Sequence, residues 1–344
     1  MLNRTGVVAL LAAAGLLAGA TCAAAQGLTP DAVNNAAFGA DARGAKGGAK
    51  GGAKARKAPT AVLVKAQILL DRSRFSPGVI DGRNGDNLKK ALAAFAEDRG
   101  LKAGGELNQE VWTKLTEASG EPALTEYTIS DADVKGPFAE KIPAKMEDMA
   151  KLERLAYASP QELLAEKFHT TEELLKTLNP GKRLDQAGTR IVVPNVLAGQ
   201  GDKDAKGAVA KIEVEKDARA LKVLDKGGKL IAFYPASIGS TDKPAPSGEH
   251  TVRAVAENPT YTYDPKFGFK GVKAKEKLTI RPGPNNPVGA VWIDLSLETY
   301  GIHGTPEPDK VGKSYSHGCV RLTNWDAREL AGMVQKGTKV TFVD

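Results

Sequence analysis

The 344-residue sequence has few of the residues that build disulfides or metal sites, with only two cysteines and four histidines. One cysteine, Cys22, lies in the N-terminal segment and the other, Cys319, lies near the C-terminus. If the N-terminal segment is removed on export, Cys319 cannot form a disulfide within its own chain, which excludes a disulfide-stabilised scaffold. No segment after the N-terminus has the ~20 apolar residues needed to span a bilayer, so we expect a soluble mature protein.

The N-terminal segment has the parts of a secretory signal peptide. Arg4 gives it a basic start, residues 7–20 are apolar, and an Ala-x-Ala motif follows. The apolar run is too short to cross a bilayer, so we expect residues 1–25 to be cleaved on export to the periplasm. Lipidation of Cys22 is the alternative, although Thr21 stands where lipoprotein signals carry Gly or Ala.

The formal charge of +7 is concentrated in one segment rich in Gly, Ala and Lys. Residues 41–58 carry six positive side chains against one aspartate, which accounts for five of the seven net charges. This composition predicts a flexible basic linker over residues 26–59, with weak attachment to anionic envelope polymers as the alternative role. Because no aromatic residues are interleaved with the charges, we expect no nucleic-acid binding.

Residues 60–118 have the pattern of a small helical domain. Apolar side chains recur at i, i+3, i+4 and i+7 from Leu88 to Phe95, which predicts a helix capped by Asp86, and Asn108 begins another. The segment resembles the peptidoglycan-binding type 1 domain, which implies a three-helix fold and glycan binding; a spacer that binds nothing is the alternative. The residues that carry this resemblance are Gln67, Leu70, the run Ser76-Pro77-Gly78-Val79-Ile80-Asp81-Gly82, Gly85, Ala91, Phe95, Gly100, Leu101, Gly105, Trp112 and Leu115.

Residues 146–196 predict two short helices and a following strand. Ser159 to Glu162 and Thr170 to Glu173 each form a capping box, and residues 189–193 read as the strand. The unit resembles a small α+β LysM glycan-binding module, although the sequence shows no convincing first strand ahead of the helices. His169 is expected to be a surface residue.

The last part of the chain, residues 208–344, changes to the alternation typical of β-strands. Many short strands and one clear helix, residues 326–334, predict a mainly β domain that resembles a sandwich. The long aromatic connection 257–286 predicts a hairpin, which either acts as a lid or packs on the sheet. We therefore expect a multidomain protein in which this β domain follows the two smaller units.

Segment 303–322, HGTPEPDKVGKSYSHGCVRL, contains two of the four histidines and Cys319. One interpretation is a tight surface turn, and another is a zinc site, because His303, His317 and Cys319 are suitable ligands. A structural zinc site needs a fourth ligand that the sequence does not supply, which leaves an open three-ligand site. The third interpretation is a cysteine nucleophile with a histidine base, in which the amides of Gly318 and Cys319 face an oxyanion.

Two motifs, Ile302 to Thr305 and Ser316 to Leu322, resemble the L,D-transpeptidase catalytic domain of the YkuD type. The resemblance extends through residues 244–248 and 283–289 and covers about residues 208–344. It implies Cys319 as nucleophile and His303 as general base, with no metal or cofactor. It also implies that Ser316, His317 and Gly318 shape the thiolate and oxyanion environment. The implied substrate contacts are Gly304, Thr305, Tyr315 and Arg321, with an ion-pair role as the alternative for Arg321.

The resemblance implies a two-step reaction on peptidoglycan. Cys319 attacks the carbonyl of a diamino acid in a stem peptide, D-alanine leaves, and an amine resolves the thioester. The acceptor can be a second stem peptide or an envelope lipoprotein, whereas water would make the protein a carboxypeptidase or an amidase. A carbapenem is expected to acylate Cys319, and a non-catalytic glycan-binding protein is the alternative function. The modular layout further predicts that residues 60–196 only localise the enzyme.

Overall fold

The computed structural model shows three packed units, namely a helical domain (58–117), a middle module (120–199) and a β domain (207–344). It describes residues 27–39, 58–102, 104–117, 120–199, 207–239, 244–267, 272, 274–314 and 318–344. The helices are α1 Pro30–Asn34, α2 Ala61–Arg72, α3 Asp86–Asp98, α4 Gln109–Glu117, α5 Asp131–Lys135, α6 Met146–Met149, α7 Pro160–Lys167, α8 Glu172–Leu178 and α9 Asn324–Met333. The strands are β1 Leu124–Thr128, β2 Arg190–Pro194, β3 Val209–Glu215, β4 Ala220–Asp225, β5 Leu230–Pro235, β6 Ser237–Ile238, β7 Gly248–Glu257, β8 Tyr261–Tyr263, β9 Leu278–Ile280, β10 Val291–Leu295, β11 Gly301–His303, β12 Val320–Arg321 and β13 Lys339–Val343.

The helical domain contains α2, α3 and α4. Helix α3 begins at Asp86 and its N-cap is Gly85, which makes no side-chain cap, so the prediction that Asp86 caps this helix was wrong by one residue. The domain's apolar core includes Ala220 and Phe233 of the β domain, which are 1% and 3% exposed. The helical domain is therefore packed against the β domain through a shared core.

The middle module pairs β1 antiparallel with β2 and places α7 and α8 between them in the chain. The first strand of this module, which the sequence pattern did not indicate, is β1. It lies upstream of the expected start at residue 146. The hydroxyl of Ser159 accepts a hydrogen bond from the Glu162 amide at 3.1 Å, as the capping pattern predicts. The cap of α8 is Thr171, one residue after the predicted Thr170.

Both segments expected to be linkers are partly folded. Val33 in α1 is fully buried. The Asn34 amide donates to the Leu124 carbonyl at 3.1 Å, and its oxygen accepts from the Leu124 amide at 2.7 Å, which fixes α1 to β1. Residues 195–208 are polar and rich in glycine, which predicts a second linker, yet Val196 within them is 1% exposed. The predicted linker 26–59 is therefore too long, and its remaining basic part and the signal peptide lie outside the described residues.

The β domain is built on a nine-stranded sheet in the order β5-β4-β3-β13-β7-β10-β11-β12-β6. Its strands are antiparallel except for the pairs β3–β13 and β11–β12. Strands β8 and β9 form a separate antiparallel ribbon within residues 257–286, which confirms the predicted hairpin, while its action as a lid stays a prediction. Among the described residues, no helix is long and apolar enough to cross a bilayer.

A buried charge cluster lies where the three units meet, around a cavity of about 30 Å³. One carboxylate oxygen of Asp71 lies 3.0 Å from His169 Nδ1, and the His169 ring stacks on Trp325 with centroids 5.1 Å apart. His169 is 8% exposed, so the expectation of a surface residue was wrong. The cluster comprises Asp71, Arg74, His169, Asp326 and Glu329.

Candidate active site

His303 lies on β11, and Cys319 directly precedes the neighbouring parallel strand β12. The register of β11 and β12 pairs Ile302 with Val320 and His303 with Arg321. Ile302 and Val320 are fully buried in the main core of the β domain. Since alternate residues of a strand face opposite sides, His303 and Arg321 face away from that core. Cys319 directly precedes β12, two residues before Arg321, which places it on the same face as the imidazole.

The imidazole of His303 is held in one tautomer by a backbone carbonyl. His303 is 6% exposed, and its Nδ1 lies 2.6 Å from the Gly304 carbonyl oxygen. A carbonyl only accepts, so Nδ1 carries the proton and Nε2 of the neutral ring keeps a lone pair. The Val288 backbone lies close enough to the ring to favour its charged form, and Trp292 stacks on the ring with centroids 5.6 Å apart. The ring therefore presents one basic nitrogen in a fixed orientation.

The pKa of His303 is lowered to about 4, mainly by burial and then by the nearby positive charge of Arg321. The Gly304 carbonyl and the Val288 backbone act in the opposite direction but do not offset these effects. His303 is therefore neutral at pH 7, the form that can accept a proton from a thiol.

The thiol of Cys319 is partly exposed beside polar aromatic side chains. Its Sγ lies 3.5 Å from the Thr299 carbonyl oxygen, to which the S–H can donate. Burial and then the charge of Cys319 raise the pKa of Tyr261 to about 12, and the same two causes raise the pKa of Tyr300. Tyr261 lies in β8, so the base of the hairpin contributes to the surroundings of the nucleophile.

Gly318 allows the backbone to turn sharply just before the nucleophile. Its φ of +124° lies in a region that L side chains rarely adopt. A Cβ at this position would also lie 3.3 Å from the Tyr300 hydroxyl, which itself donates to the Pro244 carbonyl at 3.0 Å. Glycine at position 318 is thus favoured by the backbone conformation, and a larger residue would also need a small shift of Tyr300.

Arg321 brings a largely buried positive charge to the same face. Its Nε has no hydrogen-bond partner among the described residues. Burial lowers the pKa of Arg321, while the charges of Glu307 and Cys319 raise it. The guanidinium is thus close enough to both His303 and Cys319 to influence their charge, and it can donate to an incoming carboxylate.

The other predicted site residues fall into two groups. Gly304 and Thr305 are buried, and the Thr305 hydroxyl accepts from the Glu307 amide at 3.2 Å. Their predicted contact with substrate stays a prediction. Tyr315, Ser316 and His317 lie outside the described residues.

Two residues that support the site, Asn324 and Glu166, were not predicted from the sequence. Asn324 is fully buried and hydrogen-bonds the Ala290 amide, while Glu166 of the middle module accepts from Asn324. The position of Asn324 at the start of a helix was visible in the sequence, but no local signal connects Glu166 to the site. In the part of the chain that the structure describes, no group of three His, Cys, Asp or Glu side chains is arranged to hold a metal ion.

Comparisons with known proteins show which families the chain resembles. Residues 210–342 match the L,D-transpeptidase catalytic domain family (YkuD), and residues 62–115 match the putative peptidoglycan binding domain family. The putative L,D-transpeptidase YkuD of Bacillus licheniformis is 30% identical over 183 residues, covering 53% of this chain and 92% of that protein. The probable L,D-transpeptidase YbiS of Escherichia coli K12 is 30% identical over 190 residues, covering 54% of this chain and 60% of that protein. A solved L,D-transpeptidase from Mycobacterium smegmatis has 23% identity and a TM-score of 0.32, covering 40% of this chain and 59% of that one.

The chain therefore belongs to the L,D-transpeptidase family and carries a peptidoglycan-binding domain ahead of a mainly β catalytic domain. The alignment with the Bacillus licheniformis protein covers 53% of this chain, which is more residues than the segment 210–344 contains. The similarity to that relative thus extends N-terminally into the middle module.

Proposed function

We propose that this protein is an exported cysteine acyltransferase that acts on peptidoglycan stem peptides. The observation that carries the proposal is the neutral imidazole of His303, held with Nε2 unprotonated on the face that also carries Cys319. The nucleophile, the base and the family membership point to the same acyl-transfer chemistry.

The first half-reaction forms a thioester. The thiol of Cys319 gives its proton to His303 Nε2 while sulfur attacks the carbonyl carbon of a diamino acid residue in the stem. The backbone amides of Gly318 and Cys319 stabilise the resulting oxyanion. The carbon–nitrogen bond then breaks, and D-alanine leaves as an amine after taking the proton from His303.

The second half-reaction transfers the acyl group to an amine. The acceptor amine attacks the thioester and gives its proton to His303, and the sulfur–carbon bond breaks to regenerate Cys319. We propose a second stem peptide or an envelope lipoprotein as the acceptor, and water would give a carboxypeptidase product instead. The scheme uses side chains of this chain alone.

The guanidinium of Arg321 is proposed to bind a carboxylate of the stem peptide. Arg321 is only partly buried, and the other N–H groups of its guanidinium can donate to a bound carboxylate. This role is favoured over a purely structural ion pair because no salt bridge of Arg321 within 4.0 Å is present among the described residues.

The rest of the chain is proposed to bring this chemistry to the cell wall. The peptidoglycan-binding domain is proposed to bind glycan, and the N-terminal signal is proposed to direct the protein to the periplasm. The middle module is proposed to be LysM-like, because its two helices lie between antiparallel strands.

Release of D-alanine from purified tetrapeptide muropeptides tests the proposal. The full-length protein should release D-alanine and form a cross-linked or tripeptide product, which mass spectrometry distinguishes and which identifies the acceptor. A carbapenem should add one drug mass to the protein, and Cys319→Ala should abolish both results.

Two outcomes would contradict the proposal. A carbapenem adduct that persists in Cys319→Ala would place the nucleophile elsewhere. Activity that is lost with a chelator and restored by zinc would support the three-ligand metal interpretation of the same motif.

A further inference from the structure

One carboxylate of the middle module, Glu166, hydrogen-bonds the buried Asn324 of the β domain. Glu166 lies on α7, its side chain is 10% exposed, and its Oε2 accepts a hydrogen bond from Asn324 Nδ2 at 2.8 Å. The other oxygen accepts from the Tyr157 hydroxyl at 2.7 Å and from Arg328 at 3.2 Å. Both carboxylate oxygens therefore accept hydrogen bonds, and only Oε2 faces the active site.

Glu166 is one of three groups that set which way the Asn324 amide points. Asn324 Nδ2 has two hydrogens, one donated to Glu166 and the other to the Pro284 carbonyl at 3.2 Å. Its Oδ1 accepts from the Ala290 amide at 2.9 Å. Because a carboxylate only accepts hydrogen bonds, Glu166 favours this orientation over the flipped one, which would place Oδ1 against Oε2.

Asn324 in turn fits closely between two glycines. A Cβ on Gly289 would lie 2.1 Å from Asn324 Oδ1, and a Cβ on Gly304 would lie 2.2 Å from the same oxygen. No side chain larger than hydrogen fits at either position while Asn324 stays in place. The Asn324 amide thus joins the turn at residues 288–290 to the backbone that follows β11.

These two segments carry the backbone that holds the catalytic base. Gly304 provides the oxygen 2.6 Å from His303 Nδ1, and the Val288 backbone, next to Gly289, lies close to the same ring. A change in the Asn324 amide would shift both segments and release the constraint on the His303 tautomer. The connection from Glu166 to His303 has only Asn324 and backbone between them.

We propose that Glu166 is a positioning residue for the acyl-transfer reaction, so that the middle module completes the active site of the β domain. Through Asn324 it fixes the Gly304 carbonyl and the Val288 backbone and thereby keeps the His303 proton on Nδ1. This inference rests on the proposed role of His303 as the base for Cys319.

The test compares full-length variants at Glu166 with a matched control at Arg328. Glu166→Ala should lower kcat for D-alanine release by roughly tenfold to a hundredfold with little change in KM, as expected for a misplaced base. Glu166→Gln should lose no more than about threefold, because its amide oxygen still accepts from Asn324. Arg328→Gln removes a contact to the other carboxylate oxygen and should leave kcat unchanged.

A second measurement needs no substrate. With only four histidines in the chain, nitrogen-15 labelling of histidine gives few signals, and the His303 signal is assigned from its loss in His303→Gln. Wild type should show a single neutral tautomer with the proton on Nδ1. Glu166→Ala should show mixed tautomers, and Arg328→Gln should match wild type. If Glu166→Ala folds poorly, Glu166→Asp shortens the reach to Asn324 while keeping the charge and should show a smaller change of the same kind.

The outcomes separate the two proposals. If Glu166→Ala loses activity while the tautomer of His303 is unchanged, Glu166 only supports the fold and the inference is wrong. Equal losses in Glu166→Ala and Arg328→Gln would overturn it as well. If the tautomer changes as expected but wild type releases no D-alanine, the positioning holds and the proposed function fails.

Discussion

The low pKa of His303 predicts where activity is lost in acid. Burial and the charge of Arg321 lower this pKa to about 4, compared with 6.5 for an unperturbed imidazole. At pH 5, about nine-tenths of a base with a pKa near 4 is neutral, whereas only about 3% of a base with a pKa of 6.5 would be. The two cases therefore differ by roughly thirtyfold in the reactive form at one easily measured pH.

The assay is the rate of carbapenem acylation of Cys319 between pH 4 and 8, followed by intact mass. The acid limb should have its midpoint near 4, and histidine NMR should give the same value for His303. Arg321→Met removes the second cause of the shift, so the midpoint should rise but stay below 6.5, because burial remains. A wild-type midpoint near 6.5, or no response to Arg321→Met, would refute the reasoning.

The lowered pKa of His303 also makes the free energy of unfolding depend on pH in a definite direction. A histidine whose folded-state pKa is depressed stabilises the fold above its unfolded pKa of about 6.5, and this contribution is lost as the pH falls towards 4. The difference corresponds to about 3 kcal/mol between the two ends of that range. Unfolding by urea at pH 7 and pH 4.5 should therefore show a smaller pH dependence in His303→Gln than in wild type.

Three further predictions follow from contacts away from the catalytic pair. Gly289→Ala should slow acylation and lower the free energy of unfolding by at least ~1 kcal/mol, because its Cβ would lie 2.1 Å from Asn324 Oδ1; unchanged urea unfolding would contradict this. A chain that begins at residue 208 should aggregate or bind a hydrophobic dye more than the full chain, because it exposes Ala220 and Phe233; equal dye binding would show that the shared core is dispensable. The buried charge cluster should loosen as pH rises. Burial raises the pKa of Asp326 and Glu329; burial lowers the pKa of His169, but the neighbouring carboxylates, Asp71 foremost, together raise it, so all three groups favour the fold in their protonated forms. Hydrogen exchange at α9 should thus be faster at pH 9 than expected from intrinsic rates, and protection that increases with pH would contradict the assignment.

The proposed catalytic pair, His303 and Cys319, can be identified in the sequence because its signals are local. His303 and Cys319 fall in short motifs that contain glycine, and each motif includes two residues of a strand, namely Ile302 and His303 of β11 and Val320 and Arg321 of β12. The pairing of those two strands then places the two motifs side by side. The mainly β nature of the domain likewise follows from short alternating segments.

The rest could not be predicted because it depends on long-range contacts. Glu166 and Asn324 are 158 residues apart in the chain, and nothing near either residue indicates the other. Strand β1 has five residues and pairs with β2 more than sixty residues later, so neither strand stands out alone. His169 looked like a surface residue because its burial comes from Trp325 and Asp71, which belong to the other two units.

The helical domain and the middle module both contact the β domain close to the proposed active site. The helical domain contacts the segment that leads into the nucleophile, since Asn87 of α3 donates to the Val311 carbonyl at 2.9 Å. A Cβ on the next residue, Gly312, would lie 2.3 Å from the Asn87 side-chain oxygen, so the two surfaces are closely fitted. The middle module contacts the segments that hold His303. Each accessory unit thus touches a segment adjoining one member of the proposed catalytic pair. The prediction that residues 60–196 only localise the protein is therefore too narrow, because these contacts also help set the geometry of the site.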